Sequence, residues 1–389
     1  MSSSVKPISR RTRFIRNGCI NLLVLFVLLL LIEGTLRVAL DAPQGYFKLW
    51  FSGRLGLYPE NARQVNFGRT NWMITTNSYG FRSDEIQKEK IPGKLRIAML
   101  GDSITDGFGV ENEYTYPANV QAALKRAGVD NEVINGGNGG ATIDRELAIL
   151  RDAMTPFHPD VAVLTFVTND INSLAAVSDD ALLNSRADWD TPQRRFMRFM
   201  LVYTALGETV VNQTLRQLSP DFARSQDAPA PELQADPDRY HIPGGDHFEE
   251  NAREFSRISA NADGRILQDV FDAETEHQIQ RYLQALDAFV AHCRASGMVP
   301  VFVYYPSYSQ VYDLSVSLKI RDLLQEHNKV AGVPFLDLTP VMREKGAGRV
   351  LHLAPRDYVH LNPDGNAVIG GALAAFLIQE GLANPATDN

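Results

Sequence analysis

Leu95-Arg96-Ile97-Ala98-Met99-Leu100 is a short, mostly apolar run without alternation, and it ends directly in Gly101-Asp102-Ser103-Ile104-Thr105. Such a run suits a strand buried on both faces, as inside a parallel sheet. The chain after it repeats the theme. Strands are expected at 95–100, 132–135, 161–167, 299–305 and 333–337, and helices at 116–127, 143–152, 274–296, 314–331 and 364–380. Within the 274–296 helix, Ile279, Tyr282, Leu283, Leu286, Phe289, Val290 and Cys293 recur at helical spacing. Strand–helix alternation with right-handed crossovers gives a parallel sheet covered on both faces, so a three-layer α/β/α domain is expected. A serine at the carboxyl end of such a strand stands where open α/β sheets bind their ligands.

A second element lies near the other end, in Asp357-Tyr358-Val359-His360-Leu361-Asn362-Pro363-Asp364-Gly365-Asn366. A serine hydroxyl needs a base to take its proton, and that base needs a partner to fix its tautomer; Asp-x-x-His supplies both from one loop. Alone, Gly-Asp-Ser fits any turn and Asp-x-x-His fits an N-capped one. Two further blocks stand between them: Asn135-Gly136-Gly137-Asn138-Gly139-Gly140 after Val133-Ile134, and Thr168-Asn169-Asp170 after the run 161–167. In this order, from about Arg96 to Leu377, the four blocks resemble the SGNH (GDSL-type) hydrolase family.

The resemblance implies a flavodoxin-like, five-stranded parallel sheet and a serine esterase with no cofactor. It implies Ser103 as nucleophile, His360 as base and Asp357 as its orienter. The implied oxyanion-hole donors are the backbone N–H of Ser103, the backbone N–H of Gly140, five residues after Asn135, and the side-chain amide of Asn169. One departure stands out: the family's usual Gly-x-Asn-Asp is here Val167-Thr168-Asn169-Asp170. That glycine is a packing position, so a local adjustment is expected. Other nucleophile and nucleotide motifs fit worse. Gly101-Asp102-Ser103-Ile104-Thr105 is not Gly-x-Ser-x-Gly, and Thr142 breaks the dinucleotide-loop spacing after Gly136.

The amino-terminal region sets the expected location. Lys6, Arg10, Arg11, Arg13 and Arg16 precede a stretch, Gly18–Ile32, in which Asn21 is the only polar residue. Glu33 and Arg37 follow, and Val38-Ala39-Leu40 extends the run. Residues 18–40 are long enough to span a bilayer if Arg37 snorkels. No small-residue cleavage site follows, so a signal anchor is expected rather than a cleaved peptide. The basic residues before it keep the amino terminus, residues 1–17, in the cytoplasm and place the body outside a bacterial inner membrane. The net charge is −8, which leaves about −13 beyond the first sixteen residues. A body so acidic is a poor partner for nucleic acid and suits a neutral substrate.

Cys19 and Cys293 are too far apart in character to pair, and no Cys/His spacing resembles a zinc site. Residues 41–92, with Thr76-Asn77-Ser78-Tyr79-Gly80-Phe81-Arg82, are expected to pack as an extension on the hydrolase domain, 93–381, ahead of a tail at 382–389. The alternation stops between about 171 and 272, read as an inserted cap or lid, with plain surface decoration as the alternative. The stretch holds an apolar helix around Phe196–Tyr203, for which packing as core is expected over the alternative of a membrane contact, and a proline-rich loop from Pro220 to Asp246. His241, Asp246, His247, Glu249 and Glu250 could hold a cation, but solvation is the expectation there. His158, His277, His292, His327 and His352 are expected as surface or packing residues.

The substrate implied is an acylated small molecule or cell-envelope carbohydrate, most simply an O-acetyl ester. Rivals are an O-acetyltransferase with the same triad, a lipid-directed esterase or thioesterase, and a catalytically silent polysaccharide-binding protein. The intact Ser103, Asp357 and His360 speak against the last. Oligomeric state is left open.

Overall fold

The computed structural model describes residues 10–40, 57–58, 60–66, 72–184, 192–218, 264–353 and 357–384. The loop 220–246 and the polar cluster at 241–250 lie outside these. The described residues fall into two compact units. One holds the amino-terminal helix with the helices of 192–218, and the other holds the rest.

In the larger unit a hairpin, β1 (Arg63–Asn66) and β2 (Trp72–Thr75), precedes five parallel strands: β3 (Leu95–Leu100), β4 (Asn131–Asn135), β5 (Val161–Phe166), β6 (Val299–Tyr304) and β7 (Phe335–Asp337). Their order is β4-β3-β5-β6-β7, and every pairing among them is parallel. This is the flavodoxin-like order, with its switch point between β3 and β5. Side chains alternate between two cores. Ala98, Leu100, Ala162, Leu164, Phe166, Phe302 and Tyr304 enter one, while Ile97, Met99, Val161, Val163, Val301 and Val303 enter the other.

The helices come in chain order. The amino-terminal α1 (Arg10–Leu40) belongs to the small unit. In the large unit follow α2 (Ser103–Asp106), α3 (Tyr116–Arg126), α4 (Ile143–Ile149), α5 (Asn169–Ser173) and α6 (Asp179–Asn184). α7 (Pro192–Arg198) and α8 (Ala205–Leu218) return to the small unit. The large unit closes with α9 (Ala273–Ala295), α10 (Tyr308–Tyr312), α11 (Lys319–Ala331), α12 (Thr339–Gly346) and α13 (Pro363–Gln379). The helix expected at 143–152 is α4 continued by a π-helical turn, Leu150–Met154. The one expected at 314–331 starts at Lys319, because Ser307 caps the separate α10 with its own capping box.

One core is covered by α9, whose Ile279, Tyr282, Leu286, Phe289 and Cys293 point inward. Against the other core lie Tyr116, Val120 and Leu124 of α3 and Ile369, Leu373 and Leu377 of α13. Asn366 Oδ1 accepts from Tyr116 N (3.0 Å), tying the starts of those two helices together. Cys19 is exposed and Cys293 is buried, both as free thiols, and burial pushes Cys293 up to about 12. Arg96 is wholly buried at the start of β3. It donates to Glu132 Oε1 (2.6 Å) and to the carbonyls of Gln87, Lys88 and Phe157, so every arm of the guanidinium is satisfied.

The region 171–272 divides between the units: Ile171, Leu174, Leu182, Ile266, Leu267 and Phe271 are buried in the α9-side core, while α7 and α8 fall in the unit of α1. The apolar helix does form, as α7 continued by a π-helical turn, Phe199–Tyr203. It does not bury its large side chains, since Leu201 turns inward while Phe196, Phe199 and Tyr203 are exposed.

Candidate active site

β3 delivers Ser103 to the carboxyl edge of the sheet through a tight exit. Gly101 has φ +153°, and a Cβ there would lie 2.1 Å from Thr105 Oγ1, so only glycine fits. Asp102 caps the short α2 by accepting from Ile104 N at 2.9 Å. The loop after β4 presses on the same helix: a Cβ at Gly137 would stand 2.1 Å from Asp106 N. Beneath, the Tyr116 hydroxyl bridges Thr105 Oγ1 (2.9 Å) and Thr165 Oγ1 (2.7 Å).

The loop before α13 brings Asp357 and His360 to the serine. His360 Nε2 is 2.8 Å from Ser103 Oγ, and His360 Nδ1 is 2.7 Å from Asp357 Oδ2. Asp357 Oδ1 also accepts from the backbone N–H groups of Val359 (2.9 Å) and His360 (3.0 Å). Partial burial raises the Asp357 pKa, but the His360 ring and these two N–H groups outweigh it and bring the carboxyl down to about 2. Asp357 is therefore ionised at neutral pH and accepts the Nδ1 proton, which leaves Nε2 free to accept from the serine.

β5 ends at the switch point beside β3 and leads into α5, whose first residue is Asn169. Its Nδ2 donates to Asp102 Oδ2 at 3.1 Å. The other N–H of the amide stays available for a ligand. The Val167 departure is accommodated locally: Val167 is buried, and its N–H donates to Asp170 Oδ2 at 3.0 Å. Gly140 occupies an exposed turn at φ +69° after Asn138, whose N–H donates to Gly101 O at 3.0 Å. Ser103, His360, Asp357, Asp102 and Asn169 thus form one connected set.

Several contributors carried no motif. Phe108, just past α2, packs its ring on His360 at a centroid distance of 4.2 Å and on Trp72 at 4.5 Å. The loop that carries Phe108 is held by Arg82, which is buried and donates to Asp106 O (2.8 Å), Gly107 O (2.8 Å), Val110 O and Asn112 Oδ1 (2.8 Å). Tyr58 adds a hydrogen bond to Asp106 Oδ2 at 2.9 Å. The signal for this in the sequence was Asn77-Ser78-Tyr79-Gly80-Phe81-Arg82. Asn77 Oδ1 accepts from Tyr79 N and Phe81 N, and that turn aims the arginine. The described part of the 41–92 region therefore helps build the wall of the site.

His352, expected as a surface or packing residue, is a packing one. It is fully buried and pairs with Leu361, next to His360, in a backbone bridge. The single phenol proton of Tyr305 goes to Val359 O (3.0 Å), so His352 Nε2–H donates to that phenol oxygen at 3.1 Å. Burial, aided by the charge of nearby His360 and opposed by that of Asp357, lowers the His352 pKa to about 3 and keeps the ring neutral. Of the other histidines, His292 meets Thr155 Oγ1 and His327 meets Asp287, both away from the site.

Residues 99–240 match the GDSL-like lipase/acylhydrolase family. This segment belongs to that family. The match includes Ser103, Gly140 and Asn169 and ends before Asp357 and His360. The matched segment is that of an ester-bond hydrolase of the GDSL type. No curated protein sequence matches it. Similar solved structures include the acetyl xylan esterase AlAXEase, at 14% identity over 72% of this chain and 98% of that one, with a TM-score of 0.40. A lipase/acylhydrolase from Enterococcus faecalis shows 14% identity over 75% and 99%, with a TM-score of 0.40. A catalytic variant of an acetylxylan esterase from Geobacillus stearothermophilus shows 12% identity over 74% and 96%, with a TM-score of 0.38.

Proposed function

We propose that this GDSL-type hydrolase is a membrane-anchored serine esterase that removes short acyl groups, most simply acetyl, from a neutral envelope carbohydrate. The observation that carries the triad is the unbroken chain Ser103 Oγ–His360 Nε2–Asp357 Oδ2, at 2.8 and 2.7 Å. Ser103 attacks the ester carbonyl and its proton passes to His360 Nε2, whose Nδ1–H stays on the ionised Asp357. The negative oxygen that develops is received by the N–H groups of Ser103 and Gly140 and by the Asn169 amide, each worth about 3–4 kcal/mol in comparable sites. His360 then protonates the departing sugar oxygen. A water molecule, deprotonated by the same nitrogen, attacks the acyl-serine and releases the acid.

The anchor reading is supported by α1, which from Arg13 to Leu40 is long and apolar enough to cross a bilayer. The basic residues on its amino-terminal side orient it with the hydrolase unit outside. The acidic body supports a neutral acceptor over an anionic one. The test is hydrolysis of nitrophenyl esters from acetyl to long acyl by the detergent-solubilised chain, beside Ser103→Ala. Turnover confined to short chains and lost in the variant is expected; a long-chain optimum would transfer the substrate to lipid.

A further inference from the structure

The small unit presents an unusual surface. Residues 192–203 contain Arg194, Arg195 and Arg198 and no acidic residue, in a chain that is otherwise strongly acidic. Phe196 (64% exposed), Phe199 (55%) and Tyr203 (53%) recur at i, i+3 and i+7 along this helical segment, with Met197 (48%) beside them. Single exposed apolar side chains are ordinary in a soluble protein. Four large ones within eight residues, three of them aromatic and flanked by arginines, form a patch that fits an amphipathic partner.

The same unit fixes where that patch stands along α1. Glu33 accepts from Ala205 N and Leu206 N, each at 2.9 Å, and so caps the start of α8 with its carboxylate. Arg37 pairs with Glu33 and donates to Tyr203 O at 2.6 Å. The π-helical turn and α8 are therefore clipped to one level of α1. Nineteen residues separate Gly18, where the apolar run begins, from Arg37, the outer member of the Glu33–Arg37 pair. At 1.5 Å per residue this is about 30 Å of helix, the thickness of the hydrocarbon layer. The clip lies where α1 leaves that layer on the far side from its basic end. The two charges there neutralise one another and satisfy backbone groups, as ions at membrane depth must.

We propose that Phe196, Met197, Phe199 and Tyr203 bed into the outer surface of the bilayer that α1 crosses, with the net positive charge of this segment drawn to the lipid phosphates. The segment is a second, in-plane membrane contact. Aromatic rings favour the headgroup level, and positive charge favours anionic lipid. The small unit would then meet the bilayer at two points, α1 and this segment. This inference rests on the reading of α1 as a bilayer span.

The test uses the full chain with Trp50 and Trp189 replaced by phenylalanine, carrying Phe199→Trp or, separately, Phe196→Trp. It is reconstituted into phosphatidylcholine–phosphatidylglycerol vesicles containing lipid brominated on the acyl chains. Loss of most of the added emission to brominated lipid, with shielding from iodide, is expected at both positions. Emission quenched by iodide and untouched by bromine would overturn the proposal while leaving the anchor intact, provided the vesicles and protein still float together. Shielding from both quenchers would overturn it in favour of a protein cover, either a cap or a second copy. Failure to float with vesicles would remove the anchor reading and this inference together.

Discussion

Acid should loosen the catalytic loop through His352 before it reaches the triad carboxylate. The ring is buried, neutral and bound to Tyr305, with its pKa lowered from 6.5 to about 3. In the unfolded chain the same ring takes a proton near pH 6.5. Between those values the unfolded state holds one more proton than the folded state, so stability falls as pH falls, by about 1.4 kcal/mol per unit. Lowering the pH from 6.5 to 5 should therefore cost about 2 kcal/mol through this residue alone. Asp357 acts in a separate, lower window. Its folded value of about 2 against an ordinary 3.8 stabilises above 3.8, and that stabilisation is lost only as pH falls towards 2. His352→Phe removes the titrating group while leaving an aromatic volume. Urea unfolding of both chains at a series of pH values, followed by tryptophan fluorescence, isolates the term. The variant should start less stable, because Tyr305 loses its donor, but its decline between pH 6.5 and 5 should be shallower by about 2 kcal/mol. Parallel curves for the two chains would refute the assignment of a neutral, buried His352.

Two substitutions test the surroundings of the triad. Arg82→Met leaves four oxygens of the 106–112 loop without their donor, at a cost of about 3 kcal/mol in unfolding free energy. Arg82→Lys should recover only part of it, since an ammonium cannot reproduce the guanidinium fork, and thermal unfolding reads both. Asn169→Ala should lower kcat by about 10²–10³ with little change in KM, because its amide is the proposed partner of the charge that develops in the transition state. Steady-state kinetics on an acetyl ester would show the split, and an equal change in KM would argue for a ground-state contact instead.

The sheet was legible because its strands are buried on both faces, and a run such as Val161–Phe166 has no other stable use. The site residues were legible because four motifs fall at strand ends or before a helix, where the backbone geometry constrains the residue type. Gly101 and Gly137 show that constraint directly, as close approaches that no side chain could enter. What stayed hidden depends on contacts between segments distant in sequence. Phe108 is an unremarkable residue until the hairpin places Trp72 behind it and the last loop places His360 in front. Likewise, His352 reads as a surface or packing residue until Tyr305 is known to lie above it. The Phe196–Tyr203 stripe misled because helical apolar spacing states that a face seeks an apolar partner, and not whether that partner is protein.

Three buried carboxyl groups interact with one another around the candidate site. Asp102, Glu146 and Asp170 are all fully buried and close enough to repel one another, as successive negative charges behind a developing oxyanion would also repel it. Burial is the leading cause that raises all three, and repulsion among them pushes Glu146 and Asp170 well above the ordinary carboxylate range. Asp102 differs from the other two by its donors: Ile104 N–H and the Asn169 amide oppose the effect of burial and favour its ionised form. Those same donors tie Asp102 to Asn169 and to the start of the serine's helix. Glu146 and Asp170 are held toward their neutral forms, which spares the proposed oxyanion site a stack of buried anions.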